Sequence, residues 1–545
     1  MKLYPNKKIF INLRAEFFLV LIFILYRMPE LGFDNINTDA PIWKTRTFQF
    51  SSAIFSLDFA KTNVTYHPGV LLMWISALGV KFYNLFVKIF YGELDPQSIR
   101  DYVGLDFTQK FLLLLFYAFV LGVGSYYLKK IKGVFFAVTV VIVLTFEPFF
   151  IGLTRVLHTD GLITVLSFSV FVTFYYFLLT KNKLAFFYSA LFTALALLTK
   201  SNALFLVAFI GLSTFIFNLG KLKNIKSFIF RVMKTYSIWF LLVIIFFVLF
   251  WPAMWVTPIQ TIYNYYHGIR DVGLEPHLQE WFGVETEDPG FWFYPIVYFI
   301  RSTPYFLVFS TSGILLFLVG SIKYKKFDLL YLLSLLFVLF YITALGFSDK
   351  KLGRYVLPIF PFMSLFFVYF LFHLKNKIPL IKNVKSWFFG FVIFVVFLSF
   401  IQTYKLFPDY LMYYSPIIGG WEVGKLIEEP KWPVGYSTLA HYLNNLPNSQ
   451  NRYVLVRYGY LYNPWNISKR TGTLSQKTEK DPGSYFILEK YSDWRYLKGR
   501  GVKLNKILKV GGYDMFWIYE IIGNYEVTKN YEFIFPPGPK IDSKF

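Results

Sequence analysis

Hydrophobic positions in this chain run on in long unbroken blocks, and short polar segments rich in lysine separate them. Blocks of about 17–25 apolar residues with few charges are long enough to cross a bilayer as helices, and lipid accepts only segments whose backbone bonds close internally. About eleven such blocks occur, near residues 9–27, 108–128, 133–153, 161–179, 184–199, 202–219, 235–254, 301–320, 327–346, 355–373 and 387–404. The chain therefore reads as an α-helical multi-pass membrane protein embedded in a lipid bilayer. Its first block runs into Tyr26-Arg27-Met28-Pro29-Glu30 without a small-residue cleavage pattern, so no cleavable leader is expected.

The polar positions set the orientation. Lys2, Lys7, Lys8 and Arg14, then Lys129, Lys130 and Lys132, then Lys181 and Lys183, all fall in alternate loops. So do Lys221, Lys223, Lys226, Arg231 and Lys234, then Lys323, Lys325 and Lys326, then Lys375, Lys377, Lys382 and Lys385. Such loops stay cytoplasmic. The N-terminus is accordingly expected inside the plasma membrane and the chain beyond Tyr404 outside it. Residues 68–90 (PGVLLMWISALGVKFYNLFVKIF) are also apolar, but as a span they would put the Lys129–Lys132 cluster outside. They are expected to lie on the outer surface, with Lys81, Lys88 and several aromatics suiting an interfacial helix. The first outer loop is then long, 28–107.

The tail changes character. Turn clusters at Ile418-Gly419-Gly420 and Leu446-Pro447-Asn448-Ser449, a helix-like stretch at 435–446 and strand-like runs at 453–457, 485–489 and 515–521 predict a small extracytoplasmic α/β domain. The expected division is a membrane domain, 1–404, followed by this domain, 405–545.

Composition agrees with a membrane protein. The chain is 56% hydrophobic, 22% aromatic and 16% charged, against roughly 25% charged in soluble domains. The net charge of +23 is carried by the cytoplasmic loops, so nucleic acid is not expected as a partner. With no cysteine, thiolate catalysis, disulfides and Cys-ligated metals are excluded.

Ionisable groups beside membrane spans are costly and mark function. On the outer side stand Asp34 and Asp39 in FDNINTDAPIWKTR, Glu147, Arg155, His158 and Asp160 in EPFFIGLTRVLHTDG, Lys200 in LLTKS, and Lys350, Lys351 and Arg354 in SDKKLGRYVLP. Cations can bind a phosphate and a carboxylate can remove a proton. A solvated surface carboxylate, a helix-end ion pair at Arg155 and Asp160, or an anionic-lipid contact at the basic cluster would also account for them singly.

In these residues the chain resembles the family 39 enzymes of the GT-C glycosyltransferase class, the protein O-mannosyltransferase and aminoarabinose transferase group. The resemblance is carried by TDAPIWKTRTFQF (38–50), TYHPGVLLMW (65–74), EPFFIGLTRVLHTDGLI (147–163), LLTKSNAL (197–204), FWPAMWVTP (250–258), FYPIVYFIRSTP (293–304) and DKKLGRYVLPIFP (349–361). It implies a GT-C membrane domain that moves a sugar, of hexosyl or mannosyl type, from a polyprenyl-phosphate donor to a protein, lipid or glycan acceptor at the outer face. Transfer would be inverting, with Asp39 as catalytic base. Asp39 is followed by Ala40, where the family often carries a second carboxylate, and the family's His-Pro-Pro element is His67-Pro68-Gly69. Arg155, Lys200 and Arg354 are the expected phosphate clamp, with Arg46 next in line, Lys350 and Lys351 near it and His158 and Asp160 lining the site. Trp43 offers a sugar-stacking face, and His67 either contacts substrate or holds its turn. The outer loops carry no Asp-x-Asp or His-Glu-x-x-His pattern, so neither a metal nor another cofactor is expected. A lipid-linked-sugar flippase or polysaccharide transporter, and an oligosaccharide polymerase or transferase, are the alternative readings.

Overall fold

The computed structural model describes residues 14–34, 37–65, 68–95, 97–220, 222, 224–273, 275–377, 384–472, 484–489, 497–498, 502–522 and 526–527. The chain divides into two compact units, Met1–Leu94 with Gly104–Val434, and Asp95–Val103 with Gly435–Phe545.

Within the described residues, each expected membrane block folds as helix, from Arg14–Leu25 through Ile99–Lys132, Thr159–Thr180, Lys183–Leu197, Ile225–Phe250, Pro304–Tyr324 and Leu329–Gly346 to Phe360–Lys377 and Val384–Thr403. Eight described helices are long and apolar enough to cross a membrane, or nine if the bent pair Val134–Thr145 and Pro148–Thr154 counts as one span. The chain is a multi-pass membrane protein. The count is of the described residues alone: the block 9–27 begins outside them, and the block 184–199 makes a short helix. Lys183–Leu197 has 15 residues, about 22 Å at 1.5 Å per residue, less than the hydrocarbon thickness of about 30 Å. Val70–Phe90, in contrast, meets the length and hydropathy requirement with 21 residues. It buries Val70, Leu72, Met73 and Val80 and exposes Leu78, Phe82, Leu85 and Ile89.

Equal hydropathy hides opposite environments. Thr159–Thr180 and Ile225–Phe250 have hydropathies of 2.1 and 2.2, yet 83% of the first and 22% of the second is buried inside the protein. The first is packed on all sides; the second turns Ile229, Phe230, Leu241, Ile245 and Leu249 outward. Hydroxyls in the buried helix bond back to their own turn, as Ser167 Oγ does to the Ile163 carbonyl at 2.6 Å and Thr173 Oγ1 to that of Ser169 at 2.6 Å. A polar side chain is thereby satisfied without a partner helix.

The bend between Val134–Thr145 and Pro148–Thr154 is 72°, and Pro148 supplies its cause by lacking an N–H. Buried Arg27 donates from Nη2 to the Thr145 carbonyl at 3.1 Å and from Nε to Thr154 Oγ1 at 2.8 Å. Glu147 accepts from the Thr303 N–H at 2.7 Å and Thr303 Oγ1 at 2.8 Å, at the start of Pro304–Tyr324. The lysine-rich ends gather at the far side of the bundle, where Lys132 pairs with Asp328 at 2.5 Å and Lys129 with Glu16.

Residues 405–434 belong to the membrane-side unit rather than to the C-terminal one, a boundary some thirty residues later than the loss of apolar character suggests. Leu411 fits against Gly152, and buried Arg301 donates from Nη1 to the carbonyls of Leu411 and Tyr413 at 2.9 and 3.1 Å. The segment is built of short helical turns, with Trp421–Ile427 its one α-helix, too brief to leave a periodic trace.

The second unit carries a five-stranded sheet, in the order Thr471–Gly472, Val454–Leu455, Tyr485–Leu488, Tyr513–Ile521, Val502–Val510. The first three strands are parallel and the last two pairings antiparallel. Gly511-Gly512, with φ of +62° and +88°, closes the final hairpin, as a two-residue turn with left-handed backbone requires. The long strand Val502–Val510 is absent from the sequence expectation: five of its residues in a row are exposed, and three lysines interrupt its apolar positions. Leu455, Leu488, Trp517 and Ile521 form the core on one face.

A topology reporter fused after Tyr404 is expected to be active outside the cytoplasm, as is one inserted between Phe90 and Leu94. Activity inside at the second position would make Val70–Phe90 a span and invert the order of sides for the helices after it.

Candidate active site

Asp39 is the residue just before the helix Ala40–Phe55. The Asn37 side chain accepts from the Asp39 N–H at 2.9 Å, a local turn, and Pro41 favours the first helical turn that follows. The Asp39 carboxylate makes no cap bond, so it points elsewhere. Arg354 Nη2 donates to Asp39 Oδ2 at 3.3 Å, and His158 Nε2 lies 3.3 Å from the same oxygen.

His158 is extended and precedes Thr159–Thr180, which places Asp160 in that helix's first turn. The positive end of the helix dipole favours a carboxylate there. Asp160 collects three partners: Lys200 Nζ at 2.6 Å, His158 Nδ1 at 2.9 Å and Arg354 Nε at 3.1 Å. Lys200 comes from the turn after Lys183–Leu197, and its ammonium also lies 3.6 Å from the Tyr355 ring centre. Arg354 sits in the 3₁₀ turn Gly353–Ile359. Four separate segments thus deliver Asp39, His158, Asp160, Lys200 and Arg354 into one cluster. With His158 neutral, its two carboxylates and two cations sum to zero.

Access distinguishes the two carboxylates. The Asp39 side chain is 32% exposed and that of Asp160 2%, so a substrate can reach Asp39. Burial opposes the Asp39 charge, but the His158 ring and the Arg354 guanidinium outweigh it and hold the carboxyl well below the usual range. Asp39 is therefore ionised throughout the neutral range.

Two aromatic walls flank His158. The Trp43 ring meets it edge-on at 6.3 Å and the Trp432 ring at 5.0 Å, and the Arg354 guanidinium lies over Trp432 at 4.6 Å. Trp432 escaped sequence reasoning, standing in an irregular stretch far along the chain. Glu428, held by Arg301 at 2.9 Å, anchors that stretch. A Cβ on Gly353 would fall 1.9 Å from Glu428 Oε1, so a larger residue beside Arg354 would push Glu428 away.

Several expected roles change. Arg155 does not join the cluster. Its guanidinium bonds to Asp34 Oδ2 at 3.1 Å and to the carbonyls of Arg27 and Pro29 at 3.1 and 2.8 Å, a buried clasp on the chain before the helix Ala40–Phe55. Asp34 is no solvated loop carboxylate. It is fully buried and also pairs with Lys110 at 2.7 Å; Lys110 reaches Asp106 at 2.7 Å, and Asp106 reaches Lys44 at 2.8 Å. Lys44 lies one turn into the helix that follows Asp39, so this chain of alternating charges sets the helix's position. Trp43 offers no open stacking face: it is 3% exposed, and a Cβ on Gly69 would lie 2.1 Å from its ring. Arg46 lies 4.9 Å from the Trp43 ring centre. Lys350 and Lys351 face Glu275 at 3.4 Å and Asp288 at 2.8 Å, so the basic cluster of 350–354 splits and only Arg354 enters the acidic site. His67 lies outside the described residues. Among the described residues no group of three or more His, Asp and Glu side chains is arranged to hold a metal ion; the carboxylates of the cluster are occupied by Lys200 and Arg354.

No protein-family model matches the sequence, and no curated protein matches it. Solved structures similar to this chain include ArnT from Cupriavidus metallidurans bound to undecaprenyl phosphate, with TM-score 0.44 and 11% identity, covering 92% of this chain and 97% of that one. The oligosaccharyltransferase of Archaeoglobus fulgidus in the apo form has TM-score 0.46 and 11% identity, covering 85% of this chain and 64% of that one. AglB from the same organism, in complex with an inhibitory peptide and a dolichol-phosphate, has TM-score 0.45 and 10% identity over the same shares.

The two networks predict opposite consequences for two similar changes. Asp34→Asn leaves Lys110 and Arg155 buried against a neutral amide and is expected to cost about 3 kcal/mol or more, seen as a lower thermal unfolding midpoint in detergent. Asp39→Asn, at a partly exposed position, is expected to leave the midpoint nearly unchanged.

Proposed function

We propose that the chain is a GT-C membrane glycosyltransferase. It transfers a sugar from a polyprenyl-phosphate-linked donor to a protein, lipid or glycan acceptor at the outer membrane face. The observation that carries this reading is the convergence of Asp39, His158, Asp160, Lys200 and Arg354, each from a motif of the family 39 resemblance, into one cluster with a single reachable carboxylate. A transporter would distribute polar groups along a path through the membrane; these groups lie together at helix ends.

Asp39 accepts the proton of the acceptor's hydroxyl or amine, and the acceptor attacks the anomeric carbon as the lipid phosphate leaves with the bonding electrons. Arg354, 14% exposed at its side chain and already against Asp39, is the cation best placed to steady that phosphate. Lys200 is closed off by Asp160 and Tyr355, and its role is to balance Asp160. The outer location of this site follows from the lysine-rich loops at the opposite helix ends.

The test is direct. Purified protein incubated with radiolabelled polyprenyl-phosphate sugars and membrane extract is expected to label one acceptor fraction. Asp39→Asn should retain the donor but lose about 10²-fold or more in transfer rate, the scale of general-base assistance. Label transfer by Asp39→Asn at the normal rate would overturn the assignment.

The cations separate in the same assay. Arg354→Gln is expected to weaken donor binding by about 1.5–3 kcal/mol, the worth of a charge-assisted hydrogen bond. Arg155→Gln should instead lower thermal stability and leave the donor affinity of the folded fraction unchanged. Equal losses of donor affinity in both would return Arg155 to the clamp.

A further inference from the structure

The geometry points to His158 as a proton-relay residue that acts through Asp39, taking the proton from it and holding it between Asp39 and Asp160 during transfer. This rests on the glycosyl-transfer reading and names a step within it. His158 Nδ1 stands 2.9 Å from Asp160 Oδ2 and Nε2 stands 3.3 Å from Asp39 Oδ2, so one imidazole bridges the reachable carboxylate and the enclosed one. A carboxylate stands at each ring nitrogen, so a proton that reaches Asp39 has an imidazole directly behind it to take it up. Asp160 is locked by Lys200 and Arg354 and cannot turn away. The ring itself is wedged between Trp43 and Trp432, which fixes its plane.

Asp39 alone is a weak receiver. Its oxygen already accepts from Arg354, and the surrounding charge favours its ionised form. The imidazole behind it is a second group able to take up that proton. The cluster also has room for the charge, since Asp39, Asp160, Lys200 and Arg354 cancel while His158 is neutral. One added proton then sits between two carboxylates at the moment the lipid phosphate gains negative charge.

Every bond in the step balances. The acceptor's O–H or N–H bond breaks, its electron pair forms the new bond to the anomeric carbon, and the bond from that carbon to the phosphate oxygen breaks with its electrons on the phosphate. The proton passes through Asp39 Oδ2 to His158 Nε2 and leaves to water after the products part. No oxidant, reductant or other co-reactant takes part.

The experiment measures transfer of radiolabelled sugar from polyprenyl phosphate to membrane extract by the purified full chain across about pH 5 to 9. The groups facing His158 are Asp39 from the outer loop, Asp160 from its own helix, Lys200 and Arg354 through the carboxylates, and Trp43 and Trp432. Asp39 stays ionised over this range, so a fall in wild-type rate toward acid reports a group other than Asp39. His158→Gln is expected to bind donor as the wild type does, lose about 10²-fold in rate, and lose the acid limb. Asp160→Asn removes a negative charge from beside the ring and should move the acid limb to lower pH, a shift that a merely structural role would not produce. His158→Gln with the wild-type acid limb, or Asp160→Asn with the limb unmoved, overturns the relay while glycosyl transfer stands. Absence of transfer by the wild type overturns the function itself, and the relay with it.

Discussion

Charge buried among apolar helices is tolerable only where opposite charge is brought to it, and this requirement organises the membrane-side unit. Asp160 shows it most fully. Held at the first turn of the most enclosed of the eight candidate spans, it would be prohibitive alone. Lys200 at 2.6 Å and Arg354 at 3.1 Å make it stable. Those contacts draw the turn after Lys183–Leu197 and the 3₁₀ turn Gly353–Ile359 onto the start of Thr159–Thr180. Distant segments of the chain are thereby joined at one helix end, and that junction is also where the groups of the proposed site stand.

A second chain of charges does the same for the helix Ala40–Phe55. Arg155, Asp34, Lys110, Asp106 and Lys44 alternate in sign with contacts of 2.7–3.1 Å. Its members are spent on one another and on backbone carbonyls, which makes it a support rather than a site. The support has a functional consequence, because Lys44 fixes the helix whose leading residue is Asp39. A carboxylate proposed as a base must be held to within a fraction of an ångström of its partner, and one on a long loop has no such constraint by itself.

The third support is the segment 405–434. Arg301 gathers the carbonyls of Leu411 and Tyr413, the Tyr414 hydroxyl and Glu428. Glu428 fits the space left by the missing side chain of Gly353. Through it Trp432 is set against both Arg354 and His158. A stretch of short helical turns, held to the helices by Arg301 together with the Ser415 N–H on the Ile300 carbonyl, thus supplies a wall of the proposed site.

The amino-acid sequence determined where the apolar helices lie, which loops carry the lysines, and that the end of the chain forms a separate α/β unit, but it placed the start of that unit at 405 where the structure has Gly435. Each of these depends on local composition and period, and a bilayer or a sheet reads those directly. It also marked Asp39, His158, Asp160, Lys200 and Arg354, because an ionisable group beside a membrane span is conspicuous wherever it falls. What it left undecided is the pairing of charges. Arg155 and Arg354 look alike in their motifs, and so do Asp34 and Asp39; one of each pair is locked inside the support and the other faces the site. Nor could hydropathy separate Thr159–Thr180, walled in by protein, from Ile225–Phe250, turned largely outward, since lipid and protein interior are equally apolar. The strand Val502–Val510, masked by its lysines, and Trp432, placed by Arg301 and Glu428, depended likewise on neighbours distant in sequence. Only the tertiary structure decided these, because an ion pair or a packed face is a property of two segments and neither segment specifies its partner.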